Sequence, residues 1–204
     1  MQTARSSRRQ PPKQCRLLVV GKTGVGKSSL INRALNIEEA VAVHDRRGSA
    51  DIFKELFSPR NPEFIVHDSQ GFEPGENKNL PRVQKFIRDR RSAAKFEDQI
   101  HAVWLCYQIP LDEFGQRVLE GAMQEFARTK AELLGTKTRW VDDRKEYTQQ
   151  DVEKKAKEYI QEQCIRPILK FTGEKDIPFV AVSAKVRYNY KLPDLIKLTK
   201  ERVF

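Results

Sequence analysis

Short apolar blocks alternate with amphipathic stretches along this chain. Leu17-Leu18-Val19-Val20, ending at Gly21, is unbroken in its apolar character, which suits a strand buried on both faces of a sheet. Ser28 to Leu35 follows as a helix with Leu30, Ile31, Ala34 and Leu35 on its inner side, and residues 36–50 carry little pattern and read as a loop. Asp51 to Phe57 and Glu63 to His67 are strand candidates separated by the turn sequence Ser58-Pro59-Arg60-Asn61-Pro62. After a loop from Asp68 to about Asn79, Leu80 to Phe96 predicts a helix, with Leu80, Val83 and Ile87 spaced for one face. Ile100 to Ile109 predicts a strand closed by Pro110. Helices are expected over about Asp112 to Ala127 and Gln149 to Phe171, a strand over Ile177 to Val182, and an amphipathic helix over Leu192 to Arg202.

Strands alternating with helices imply an α/β domain with a mostly parallel sheet. The 204 residues favour one domain, large enough to bury a core without a disulfide or structural metal. No apolar run approaches the roughly 20 residues that span a bilayer. Residues 1–14 are polar, end near Pro11-Pro12 and read as a disordered basic tail, leaving 15–204 as the folded domain. Cys15, Cys106 and Cys164 are odd in number and far apart, with no C-x-x-C pair, so neither a disulfide framework nor a zinc site is indicated. This usage fits a reducing compartment, and a cytoplasmic location is expected. His44, His67 and His101 are scattered and read as structural or surface histidines.

The net charge of +10 raises nucleic acid as a partner. Part of the excess lies in Arg5, Arg8, Arg9 and Lys13. Elsewhere the signs mix, as in Arg88-Asp89-Arg90-Arg91, and solvated helix faces account for them. No nucleic-acid partner is expected on this reading.

Gly21-Lys22-Thr23-Gly24-Val25-Gly26-Lys27-Ser28 matches G-x-x-x-x-G-K-[ST] in full, between a predicted strand and a predicted helix. Gly21, Gly24 and Gly26 let the backbone bend around phosphates without Cβ clashes. The N–H groups of the loop, Val25 included, and of the helix start at Lys27, Ser28 and Ser29 form an anion cradle. Lys27 would reach the β- and γ-phosphates of a nucleoside triphosphate and the Ser28 hydroxyl would ligate Mg²⁺.

A second motif, Asp68-Ser69-Gln70-Gly71, closes the apolar run Phe64-Ile65-Val66-His67 as D-x-x-G. Asp68 at the strand tip suits Mg²⁺, held through water. Gly71 can offer its N–H to the γ-phosphate, whose loss on hydrolysis would release the segment. A third piece, Ser183-Ala184-Lys185, directly follows the strand Phe179 to Val182, where a guanine-contacting loop is expected.

These motifs in this order resemble the Ras-like P-loop GTPases, in the translation-factor-related branch that includes Era- and septin-like proteins. The stretches His67 to Glu76 and His101 to Cys106 are similar to a group of fungal G-domain proteins. The resemblance covers about residues 15–203. It implies a three-layer P-loop fold with a six-stranded sheet flanked by helices. It also implies GTP and GDP as ligands with Mg²⁺, hydrolysis to GDP and phosphate, and a protein effector or activating protein as partner.

Three departures stand out. Phe72 occupies the place where many members carry a water-orienting glutamine, while Gln70 lies before the glycine, so slow turnover is expected. Residues 36–57 lack the threonine expected to close over Mg²⁺, leaving Ser49 as the substitute metal ligand, with Arg46 and Arg47 read as exposed loop arginines in preference to an internal arginine finger. The guanine-reading [NT]-K-x-D is best matched by Thr129-Lys130-Ala131-Glu132, with Glu for Asp. No apolar strand precedes it, so the sheet is expected to lack one core strand between Ile109 and Thr129. The alternative to a slow GTP-hydrolysing switch is a degenerate G domain that serves as an interaction module. An ATP-using P-loop enzyme finds no lid-arginine cluster or acceptor pattern to support it.

Overall fold

The computed structural model describes residues 12–37, 50–73, 78–108, 126, 138–142, 158–173, 178–182 and 191–204. The doubly apolar run near the N-terminus forms β1 (Cys15–Gly21), buried throughout. It is followed by α1 (Lys27–Leu35), β2 (Leu56–Phe57), β3 (Phe64–Asp68), α2 (Asn79–Arg91) and β4 (Ala102–Cys106). Later come β5 (Thr138–Asp142), α3 (Arg166–Thr172), β6 (Phe179–Ala181) and α4 (Leu192–Val203).

The six strands are ordered β2-β3-β1-β4-β5-β6. All neighbours are parallel except β2, which runs antiparallel to β3 at the edge. Alternation along the strands sorts side chains into two cores. Leu18 and Val20 of β1 and Val103 and Leu105 of β4 join Leu80, Val83, Phe86 and Ile87 of α2, with Cys164 and Ile168, on one face. Leu17 and Val19 with Ala102 and Trp104 pack against Leu30, Ile31 and Leu35 of α1 and Leu192 and Leu195 of α4 on the other. The result is the three-layer α/β arrangement with flanking helices implied by the alternating pattern.

The expected missing strand is corrected. β5 pairs in parallel with both β4 and β6, so the sheet has no gap and the last strand keeps its place. The strand escaped the sequence reading because Thr138-Arg139-Trp140-Val141-Asp142 contains two apolar residues between polar and charged ones, unlike the continuous run of a doubly buried strand. It lies after Thr129-Lys130-Ala131-Glu132, so those residues do not follow the strand beside β4.

Other boundaries moved for local reasons. Of the strand expected over Asp51 to Phe57 only Leu56–Phe57 pairs, because Asp51 turns the chain. Its carboxylate accepts from the Phe53 N–H (3.2 Å) and its carbonyl from the Lys54 N–H (3.0 Å). The helix expected to reach Phe96 ends at Arg91, and a 3₁₀ turn over Phe96–Asp98 leads into β4. The long helix expected up to Phe171 contains a π-helical turn over Ile160–Ile165, where the Arg166 N–H reaches back to Gln161. Pro167, just after it, has no N–H to continue the ordinary ladder. Of the helix expected over Asp112 to Ala127, only Phe126 is among the described residues, and it is helical and buried.

Candidate functional site

The central position of β1 brings its C-terminal end between those of β3 and β4, where the phosphate loop emerges. Gly21 is the point of closest approach. A Cβ there would lie 2.3 Å from the Cys106 carbonyl oxygen, so β1 and β4 can meet only over a bare backbone. Gly24 and Gly26 have φ of 81° and 87°, the left-handed region, and a Cβ at either would meet nothing within 4 Å. The loop thus curls over open space. No side chain caps α1 at Gly26, and its first turn carries no acidic residue. An anion is the partner that such a helix start lacks.

Lys27 is buried, and its ammonium donates to the carbonyls of Lys22 (3.1 Å) and Gly21 (3.4 Å). Burial lowers its pKa, with the Asp68 carboxylate partly opposing that shift. Asp68 ends β3 opposite Val19, and its Oδ2 accepts from the Ser28 hydroxyl at 2.8 Å. Burial raises its pKa, while the Ser28 hydrogen bond and Lys27 pull it back. Its Oδ1 and the Ser69 hydroxyl are buried and have no hydrogen-bond partner among the described residues. A buried lysine beside a cradle and a half-satisfied carboxylate beside a hydroxyl are each incomplete alone. A phosphate would complete the first and a divalent cation the second. The oxygen donors of Ser28 and Asp68 suit Mg²⁺, which prefers few protein ligands.

The D-x-x-G segment continues along the phosphate loop. The Ser69 N–H donates to Val19 O (3.1 Å), the Phe72 N–H to Gly21 O (3.0 Å), and the Thr23 N–H to Phe72 O (3.1 Å). Gly71 lies against Thr23 so closely that a Cβ would fall 2.4–2.6 Å from its Oγ1, Cα and N. Phe72 is 2% exposed, in the core with Leu18, Val20 and Tyr107, its ring centroid 5.9 Å from that of Phe126. A ring so placed cannot orient a water.

Sequence reasoning missed two supports of this site. Asn79, buried at the start of α2, donates from Nδ2 to Gly71 O (2.8 Å). Arg16, 5% exposed, donates from Nη1 to Glu55 (2.5 Å) and to His67 Nε2 (2.9 Å). Since arginine can only donate, His67 carries its proton on Nδ1 and gives it to Ile52 O (2.8 Å). Arg90 of α2 also reaches Glu55 (3.2 Å). A charged residue opening an apolar strand was the available signal for Arg16. Nothing local marks Asn79.

The structure therefore brings together Gly21, Gly24, Val25, Gly26, Lys27, Ser28 and Ser29 with Asp68 and Gly71. Ser49, Thr129, Lys130, Glu132, Ser183, Ala184 and Lys185 lie outside the described residues.

A strand–loop–helix phosphate cradle beside a strand-end aspartate defines a P-loop nucleotide-binding domain. Residues 16–170 match the family model described as 50S ribosome-binding GTPase, and the chain belongs to that family. Guanine nucleotide is the ligand that membership brings. The tRNA modification GTPase MnmE of Thermotoga petrophila is 29% identical over 107 residues, covering 52% of this chain. This chain spans 23% of that relative's length. Among solved structures, a probable GTP-binding protein engB superposes with a TM-score of 0.59 at 18% identity, covering 93% of this chain and 98% of its own. Toc33 from Arabidopsis thaliana, in complex with GDP and Mg²⁺, gives 0.62 at 14% identity, with coverages of 94% and 84%. At these identities the structural likenesses bear on the fold alone.

Proposed function

We propose that residues 15–204 form a G domain that binds GTP with Mg²⁺ and hydrolyses it slowly to GDP and phosphate, acting as a molecular switch. The observation that carries this reading is the Ser28–Asp68 pair, with one buried carboxylate oxygen that has no partner among the described residues, beside the phosphate loop. Ser28 and Asp68 would hold Mg²⁺, which would supply positive charge against the phosphate oxygens. Lys27 exchanges its two backbone carbonyls for phosphate oxygens, and the N–H groups at the start of α1 take the remaining charge. The Gly71–Phe72 segment lies on Thr23, so γ-phosphate binding and movement of that segment are linked. Slow turnover follows from Phe72, whose burial leaves no side chain at that position to align the attacking water.

Titration with fluorescent GTP, GDP and ATP analogues, with and without Mg²⁺, tests the proposal. Mg²⁺-dependent GTP binding that Lys27→Ala abolishes is the expected result. Displacement by ATP at equal concentration would sink the guanine assignment. A degenerate domain serving as an interaction module is the second reading. It draws support from the residues after β5, Asp143-Arg144-Lys145-Glu146, which contain no N-K-x-D. Undetectable binding of every nucleotide by a folded sample would decide for it.

A further inference from the structure

Helix α2 carries Arg82, Lys85, Arg88, Arg90 and Arg91 against Asp89 alone. Sequence reading assigned this run to an ordinary solvated face, but the fold sorts it. Arg90 turns inward to Glu55, whereas Lys78, Arg82 and Lys85 recur at intervals of four and three residues, on one exposed face. Arg88 extends the stripe, which is about 15 Å long from Lys78 at 1.5 Å per residue. Lys78 and Arg88 have no ion pair among the described residues. Arg82 meets Asp51 (2.9 Å) and Lys85 meets Asp89 (2.6 Å), but both pairs are solvent-exposed, and such pairs exchange readily for another anion.

Beside the stripe stands Phe53, 51% exposed, its ring nearly perpendicular to that of Phe86 (81°, centroids 5.5 Å apart) and with the Arg82 guanidinium 5.5 Å from its centroid. Four cations at regular intervals suit a phosphate backbone. An exposed aromatic ring next to one of them suits an unpaired base. We propose that the outer face of α2 with Phe53 binds single-stranded nucleic acid, the cations tracking phosphates and Phe53 stacking on a base. This departs from the expectation drawn from the sequence, and it does not depend on which nucleotide the phosphate loop takes.

The test is fluorescence anisotropy of the full chain with a labelled oligouridine of about twelve nucleotides, a length within the range single-strand sites occupy, measured over a series of salt concentrations. Each phosphate contact should contribute about −0.7 to the slope of log affinity against log salt, so four contacts give about −3. Arg82→Gln with Lys85→Gln should make the slope shallower by about 1.4. Phe53→Ala should weaken binding roughly 5- to 150-fold at every salt concentration and leave the slope unchanged. All three substituted positions are exposed, and matching circular dichroism would verify the fold of each variant. Absence of binding at low salt would overturn the proposal. So would a slope the double variant leaves unchanged, which would assign binding to the basic leading segment. Equal affinity for polyaspartate or for mixed phosphatidylcholine–phosphatidylserine vesicles, insensitive to Phe53→Ala, would reduce the face to a general polyanion or membrane contact and overturn it as well.

Discussion

Gly71→Ala probes the contact between the D-x-x-G segment and the phosphate loop. The added methyl would fall 2.5 Å from Thr23 Cα and 2.6 Å from Thr23 N, backbone atoms that cannot swing aside. Either the core absorbs the overlap, at about 1–3 kcal/mol, or the segment lifts. Lifting forfeits the two hydrogen bonds joining Phe72 to Gly21 and Thr23, each worth about 1 kcal/mol. Both routes cost about 2 kcal/mol, and restricting the unfolded chain returns about 0.5 kcal/mol, for a net loss of about 1.5 kcal/mol. Urea unfolding followed by tryptophan fluorescence should show a lower midpoint at unchanged slope. Gly24 supplies the contrast, because its φ of 81° is strained for a side chain while the space around it is open. Asparagine tolerates that backbone, so Gly24→Asn should lose less stability than Gly24→Ala, whereas Gly71→Asn should lose at least as much as Gly71→Ala. A Gly71→Ala protein within about 0.5 kcal/mol of wild type would refute the packing argument.

Two further predictions concern buried polar groups. His67 is held neutral, its pKa depressed to about 4 chiefly by burial, from 6.5. The unfolded chain therefore binds the extra proton first as pH falls, and stability drops between pH 6.5 and 4 by up to about 3 kcal/mol. Asp68, raised by burial, acts in the opposite direction, so the difference between wild type and His67→Gln isolates the histidine. That difference should shrink as pH falls through this window in urea titrations, and a constant difference would contradict the assignment. On the other face, the Trp104 indole N–H donates to Thr199 Oγ1 (3.2 Å), which itself donates to Leu195 O (2.7 Å). Thr199→Val leaves the indole donor unsatisfied and should cost about 1–3 kcal/mol by denaturant unfolding, while nucleotide titrations stay unchanged.

The parts of the fold legible in the sequence were those with a strong local signature. The β1 run, the glycine spacing after it and the D-x-x-G at the end of β3 each declare themselves within ten residues, and they assemble as expected. What stayed hidden depends on distant partners. β5 has little apolar character of its own and is a strand because β4 and β6 flank it. Asp51 to Phe57 is rich enough in Ile, Leu and Phe to read as a strand, yet Asp51 captures two N–H groups and delays pairing to Leu56. Gly71 was legible as a glycine of a motif, and its N–H was assigned to phosphate. Its closeness to Thr23 becomes visible only once β3 lies beside β1. Arg16, read in isolation, is one more cation in a basic chain, whereas in the fold it ties His67 and Glu55 together from the middle of the sheet.

Phe72 holds two places in this fold at once. Its backbone is hydrogen-bonded to the phosphate loop, and its ring belongs to the core formed with α2. Raising Gly71 off Thr23 therefore draws on the same apolar contacts that keep the domain folded. Such a step resembles a small unfolding event. Exposing a phenyl ring adds heat capacity, so the free energy of the step curves with temperature rather than varying linearly. Its rate should climb on heating in the manner of unfolding rates. The temperature response of the site in this domain should therefore follow the burial of an aromatic ring in the core.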